Sequence, residues 1–215
     1  MADDAKAALQ DATQRLTSLV AELERELNEA TPALDTAVHA LNGLTKADVQ
    51  EVKAFAKPPH AVQTAFAAVL TLLGERDVGW SGAKKVASDS NFIRRLTDFD
   101  KDNVSAKTAK RLAAYLSDDD FTPEVMQTSS KAAGAMCSWV RGIMKYHEIA
   151  KKIEPKKAQL RELEKEVETR TAALRALEER GDAAAGGAPG ELQRECDEAK
   201  AALQDLTQRL STLYE

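Results

Sequence analysis

Aromatic residues make up only 5% of this 215-residue sequence, and no run of 18 apolar residues occurs in it. The first shortage argues against one large globular core, and the second against a membrane span, so no membrane partner is expected. No β-branched stretch alternates over five or more positions, which leaves no strand signal. The two cysteines, Cys137 and Cys196, are too few for a disulfide framework and read as unpaired, intracellular thiols. The acidic opening, Met1-Ala2-Asp3-Asp4, has no apolar segment behind it, so no leader peptide is expected.

Chemistry-bearing patterns are equally scarce. His39, His60 and His147 have no metal-ligand spacing to one another or to a cysteine. The Gly-rich run from Gly181 to Gly190 lacks the lysine and the strand context of a phosphate loop. Asp118-Asp119-Asp120 lacks the spaced ligands and the glycine of a calcium loop, and reads as a solvated turn. No nucleophile–base arrangement can be assembled. The chain is therefore expected to carry no catalytic site, no metal and no cofactor.

What the sequence does contain is heptads. Leu9, Leu16, Leu23, Ala30, Ala37 and Leu44 recur every seven residues, with Thr13, Val20, Leu27, Leu34 and Leu41 as a second row. Two rows sustained over five repeats predict a coiled coil. Pro32 lies inside this arm but off its seam, which predicts a kinked helix that continues. A second arm is marked by Ile149, Ile153, Leu160, Leu163, Val167, Leu174 and Leu177. Its frame holds two charges, Lys156 and Arg170, and Pro155, off the frame, is a further irregularity. The charged positions have two readings: aliphatic stems packed with their heads in water, or a seam that tolerates two registers. A Gly-rich break is expected at 181–190, with a further heptad helix over 191–215. Residues 199–213 match residues 5–19 at 12 of 15 positions, an internal repeat that places similar seams at both ends of the chain.

Between the arms the punctuation changes. The stretch Val52-Lys-Ala-Phe-Ala-Lys-Pro-Pro59 predicts a short basic helix ending near Lys57, with Lys53 and Lys57 on one face. The prolines predict a new helix start, and Gly74 its C-terminal cap. Trp80 falls in a Gly-bounded turn. Short helices are expected around Val86, over Phe92–Phe99 and over Val104–Leu116. Thr122-Pro123 predicts the N-cap and first position of a long helix that runs straight into the second arm. The predicted fold is all-α: an antiparallel coiled-coil hairpin carrying a compact bundle of about six short helices. Its parts are an arm (1–45), a helical tip (46–146), a second arm (147–180), the break and the last helix. Residues 46–150 carry a net charge of +2 and the flanks −7, so an acidic partner is expected at the centre. A nucleic-acid arm would need a basic rod, which the acidic flanks argue against, so no nucleic acid is expected. A plain coiled-coil spacer would leave the tip unexplained.

The landmarks carry a resemblance. Leu44 to Pro59, Val62 to Gly74, Trp80, Asn91-Phe92-Ile93, Phe99, Ala132 to Trp139, Tyr146 and Ile153-Glu-Pro-Lys156 follow one another as in the stalk and microtubule-binding domain of a dynein heavy chain. It covers roughly residues 32–163. The resemblance implies a tip that grips α/β-tubulin of the microtubule, joined through the stalk to the motor ring of the heavy chain. It implies that Lys53 meets tubulin together with the sixth-helix stretch from Glu124 through Thr128 to Lys131; Lys46 and Lys57, on or beside the first short helix, extend the basic surface by their placement. Cytoplasmic members carry an arginine where this chain has Thr128, and a basic residue where it has Asp89 or Ser90. The two changes point towards an axonemal dynein, in the cytoskeleton of a cilium or flagellum. The resemblance also gives Pro32, Pro155, Lys156 and Arg170 a role in the register of a coiled coil that signals by sliding.

Overall fold

The computed structural model describes residues 2–179 and, beyond them, residues 194, 197, 198, 201, 204, 205 and 208, all seven helical. The expected break at 181–190 lies outside the described residues. Among the described residues there is no strand, and no helix is long and apolar enough to cross a membrane. Within residues 2–179 eight α-helices follow in order: α1 (Ala2–Asn42), α2 (Lys46–Ala54), α3 (His60–Leu72), α4 (Trp80–Ala87), α5 (Phe92–Thr97), α6 (Ala106–Leu116), α7 (Pro123–Ser129) and α8 (Lys131–Glu179). A 3-10 turn (Lys101–Asn103) separates α5 from α6. By compactness the chain falls into two units, one of residues 1–29 with 150–215 and one of residues 30–149.

In the first unit, α1 and α8 pair through the heptad rows. Leu9, Leu16, Val20, Leu23 and Leu27 of α1 are buried, as are Ile153, Leu160, Leu163, Val167 and Leu174 of α8. Arg15 meets Glu166, whereas Glu22 and Glu26 meet Lys156. Residue numbers rise on one helix as they fall on the other, so the pair is antiparallel. Ala12 and Leu19 widen the buried stripe of α1 beyond two rows.

The unit of residues 30–149 has its own core. α3 lies at its middle, with Val62, Ala65, Phe66, Ala68, Val69, Leu70 and Leu72 buried, and α4, α6 and α7 pack on it. Phe66 meets Trp80 edge-on and stacks on Phe92. α3 ends as its sequence predicts: Gly74 takes the left-handed conformation at φ 73°, and the Glu75 and Gly74 N–H groups donate to the Leu70 and Thr71 carbonyls. Ala132, Ala133, Met136, Trp139, Val140, Ile143 and Met144 bury the first third of α8. Gly142 lets α1 approach that helix: a β-carbon there would lie 2.6 Å from the Ala33 carbonyl oxygen and 2.6 Å from the Ala37 methyl.

Three sequence expectations need correction. α2 ends at Ala54, not near Lys57, and the backbone turns extended at Phe55 (ψ 117°). Pro58 bars Lys57 from helical geometry, and the chain leaves the helix three residues before it. Trp80 is the first residue of α4 and not part of a turn; Asp77 holds the start of that helix by accepting from the Gly79 N–H and the Ser81 hydroxyl. The long helix from Pro123 is broken at Ser130, which is extended (φ −167°, ψ 135°). Ser130 closes α7 through its N–H to Met126, and its carbonyl accepts the Gly134 N–H. The paired serines are weak helix formers, and the break brings Gln127 against Gly134, whose added β-carbon would stand 2.8 Å from the Gln127 Cβ. Pro32 and Pro155 end neither helix.

The Gly142 contact makes a prediction. Gly142→Ala gains about 1 kcal/mol in helix propensity, but the Ala33 carbonyl is backbone and cannot rotate away. A net loss of about 1–3 kcal/mol is expected in urea unfolding. Gly43→Ala, with its nearest atoms at 3.5 Å, is the neutral control.

Candidate microtubule-binding face

The face is built where α2 is tied to the start of α8. Thr45 and Asp48 form a reciprocal cap on α2. The Asp48 N–H donates to the Thr45 hydroxyl, and the Thr45 N–H and hydroxyl both donate to Asp48 Oδ2, at 2.7 and 2.8 Å. This satisfies the first turn of a nine-residue helix that could not stand alone. The same Oδ2 accepts Lys131 Nζ at 3.3 Å. The Thr45 N–H first, then its hydroxyl and then Lys131 hold the Asp48 carboxyl below the usual carboxylate range.

This tie changes the standing of the sequence-picked residues. Lys131 is the first residue of α8 and not a position one turn into a longer helix; its ammonium is engaged by Asp48. Lys53 lies in the last turn of α2, half-buried, whereas Lys57 is exposed in the following loop, so the two do not share a helical face. Neither makes an ion pair. Lys46 opens α2, and its side chain lies outside the described residues. Glu124 and Thr128 are exposed on α7, a helix opened by the Thr122 cap. The Thr128 hydroxyl donates to the Val125 carbonyl, and Val125 is an exposed large apolar residue beside it.

Sequence reasoning passed over Lys84 and Lys85. They end α4, which packs on α2, and Lys84 lies 6.0 Å from the centre of the Trp80 ring. Their signal was present in the sequence, as two adjacent cations in a segment without an acid. What was missing was the knowledge that α4 lies against α2. Asp89 and Ser90 are exposed beyond the end of α4.

The register residues fall on both units. Pro32 lies in the 30–149 unit, where its carbonyl accepts the Thr36 hydroxyl at 2.8 Å. Pro155, Lys156 and Arg170 lie in the other. Lys156 Nζ bridges Glu22 at 2.8 Å and Glu26 at 2.7 Å. Those two partners, Glu22 first, hold the ammonium above its usual value. Arg170 bonds Glu166 within its own helix at 2.6 Å, and Glu166 also meets Arg15 at 3.5 Å. Cys137 is a buried thiol whose pKa burial pushes up to about 12; it donates to the Phe121 carbonyl. Among the described residues no group of His, Cys, Asp and Glu could hold a metal ion.

Asp48 supplies a test. Its carboxyl is depressed on folding, so its contribution is complete above the unfolded value near about 3.9 and is lost as pH falls through the lower folded value. Urea unfolding of Asp48→Asn is expected to show lower stability at pH 7 and a flatter decline between about pH 4 and pH 2. Parallel curves for the two proteins would remove this carboxyl from the acid response.

The model of the microtubule-binding stalk of the dynein motor matches residues 1–183 of the chain. Dynein axonemal heavy chain 2 of Homo sapiens is 39% identical over 146 residues, which is 65% of this chain and 3% of that protein. The dynein-1-beta heavy chain of the flagellar inner arm I1 complex of Chlamydomonas reinhardtii is 44% identical over 133 residues, 62% of this chain and 3% of that one. The chain thus spans about 3% of the length of these curated relatives. Among solved structures, the microtubule-binding domain of dynein-c superposes with a TM-score of 0.55 at 31% identity, over 62% of this chain and 95% of that one.

Proposed function

The chain belongs to the family of microtubule-binding stalks of dynein motors, and from that premise we propose that it grips the acidic surface of α/β-tubulin with Lys53 at the centre of the contact. Residues 46–146 form the gripping tip, and residues 1–45 and 147–180 the arms. The observation that carries this reading is the Asp48–Lys131 bond. It holds α2 on α8, so that Lys53 and Lys57, which have no anion of their own, are presented together with Thr128 and Glu124 of α7. Lys131 acts here as the tie and only secondarily as a contact. Lys46 opens the same helix, and Lys84 and Lys85 extend the positive charge along α4.

Cations facing an acidic lattice raise the association rate and give binding that weakens with salt. Thr128, in place of a cation, leaves Glu124 as the one charge on the α7 part of the contact. The relatives bear the words axonemal, ciliary and flagellar in their names, which supports a place in the axoneme of a cilium or flagellum. The parent chain is an ATP-driven motor; this stalk contributes binding and no catalysis.

The stalk transmits the state of the motor ring by a shift of α8 along α1. Lys156 favours such a shift because its two carboxylates are four residues apart on α1. A movement of one turn exchanges which of them leads, without stranding the ammonium. Arg170 keeps its bond to Glu166 within α8 during such a shift, so only the Arg15–Glu166 pair across the helices changes, while Pro32 and Pro155 loosen the helix ladder beside the seam.

Two outcomes are expected. Lys53→Glu lowers the affinity in microtubule co-sedimentation by about tenfold and leaves the helical circular dichroism unchanged; wild-type binding by this variant would remove Lys53 from the contact. Disulfides that lock the arms in registers one turn apart are expected to give different affinities, and equal affinities would refute the sliding signal.

A further inference from the structure

Several cations of the 30–149 unit have an internal use. Arg94 pairs with Asp98 at 3.1 Å, Arg95 with Glu75 at 2.7 Å and Lys131 with Asp48 at 3.3 Å. Lys101 lies 5.6 Å from the centre of the Tyr146 ring, and Arg141 donates to the Phe121 carbonyl. α6 is different. It carries Lys107, Lys110 and Arg111 and not one acidic residue. The spacing i, i+3, i+4 puts the three on one face, and all three are exposed. None makes an ion pair. Like charges at this spacing repel within a helix, so the pattern slightly opposes the fold, and nothing inside the fold compensates it.

α6 borders a cleft of about 780 Å³ whose lining includes Leu73, Phe99 and Val104, with Asn91, Ser105 and Thr108 as polar groups. Thr108 belongs to α6 itself, one residue beyond Lys107. None of the three cations lines the cleft; Thr108 links the cationic helix to the rim of a hollow that has both apolar and hydrogen-bonding walls.

We infer that α6 and this cleft form a second docking surface, for a carboxylate-rich polypeptide segment of a partner other than the microtubule. Lys107, Lys110 and Arg111 take its carboxylates, and the cleft takes one apolar side chain. The surface uses a different helix from the proposed grip: its cations lie on α6, and those of the grip on α2 and the loop after it. A polypeptide fits better than a nucleic acid. Asp98 and Asp100 line the cleft and Asp118, Asp119 and Asp120 follow α6; these carboxylates repel an evenly charged phosphate chain, while separate carboxylates can be set opposite the three cations. The nearby rings are also occupied: Phe99 packs on Trp139 and Tyr115 on Phe121, so neither is free to stack on a base.

The test uses the whole chain and a fluorescent twelve-residue glutamate peptide with one central phenylalanine, read by anisotropy at low salt. The triple variant Lys107→Glu, Lys110→Glu, Arg111→Glu is expected to bind it at least about tenfold more weakly. The triple glutamine variant, which adds no repulsion, is expected to fall between it and wild type. Lys53→Glu is expected to bind the peptide within about twofold of wild type, and the triple variant to co-sediment with microtubules within the same margin. Unchanged peptide binding by both triple variants overturns the inference. So does tighter binding of a single-stranded oligonucleotide of equal charge. A loss of microtubule co-sedimentation by the triple variants equal to that of Lys53→Glu would assign α6 to the grip, and would overturn the separate surface while leaving the grip intact.

Discussion

The helices of the 30–149 unit pack on a helix segment that is buried over most of its circumference. From Ala132 to Tyr146, α8 buries Ala133, Met136, Cys137, Trp139, Val140, Ile143 and Met144, and only a strip of Ser138, Arg141 and Lys145 reaches water. Such a segment must be covered on its other sides, because apolar area left in water costs about 25 cal/mol per Å². Each neighbour meets it in its own way. Phe99 sets its ring edge-on to Trp139, and α1 closes over Gly142. The Phe121 carbonyl takes the Cys137 thiol and the Arg141 guanidinium, and Asp102 takes the Tyr146 hydroxyl. Small residues at Ala133, Gly134 and Gly142 let backbone come close, and the aromatic and sulfur side chains fill the remaining space.

Charge is divided in the same economical manner. Some cations have partners on other segments: Lys131 on Asp48, Arg95 on Glu75. Others make no ion pair, among them Lys53 and Lys57, Arg76, Lys145 and the three of α6. A surface ion pair adds little to stability, so a fold loses little by leaving these groups unpaired, and an acidic partner can then use them without first breaking a bond. The net charge of the region is small and hides these unpaired cations.

In the unit of residues 1–29 and 150–215, the charged seam position proves to be a bridge. Lys156 is neither simply extended into water nor a defect in packing: its ammonium lies between two carboxylates of α1. This settles how the head is satisfied while keeping the packed stem, and it explains why a heptad frame can hold a lysine among leucines. Arg170 behaves differently, since its bond is to its own helix through Glu166.

Local chemistry was legible in the sequence. The heptad rows of α1 and α8 prescribe helices that must pair, because the apolar period matches the helix and nothing else. Thr122-Pro123 and Gly74 mark a start and a stop through dihedral angles and hydrogen bonds that involve only near neighbours, and the structure places both. The lysines ahead of Pro58-Pro59 located α2, though not its end. Only the tertiary structure decided the rest. The role of Lys131 depends on an acid 83 positions away, and the satisfaction of Lys156 on two glutamates of another helix. Neither propensity nor spacing within one segment can report these, because the energy that selects them arises between groups far apart in the chain.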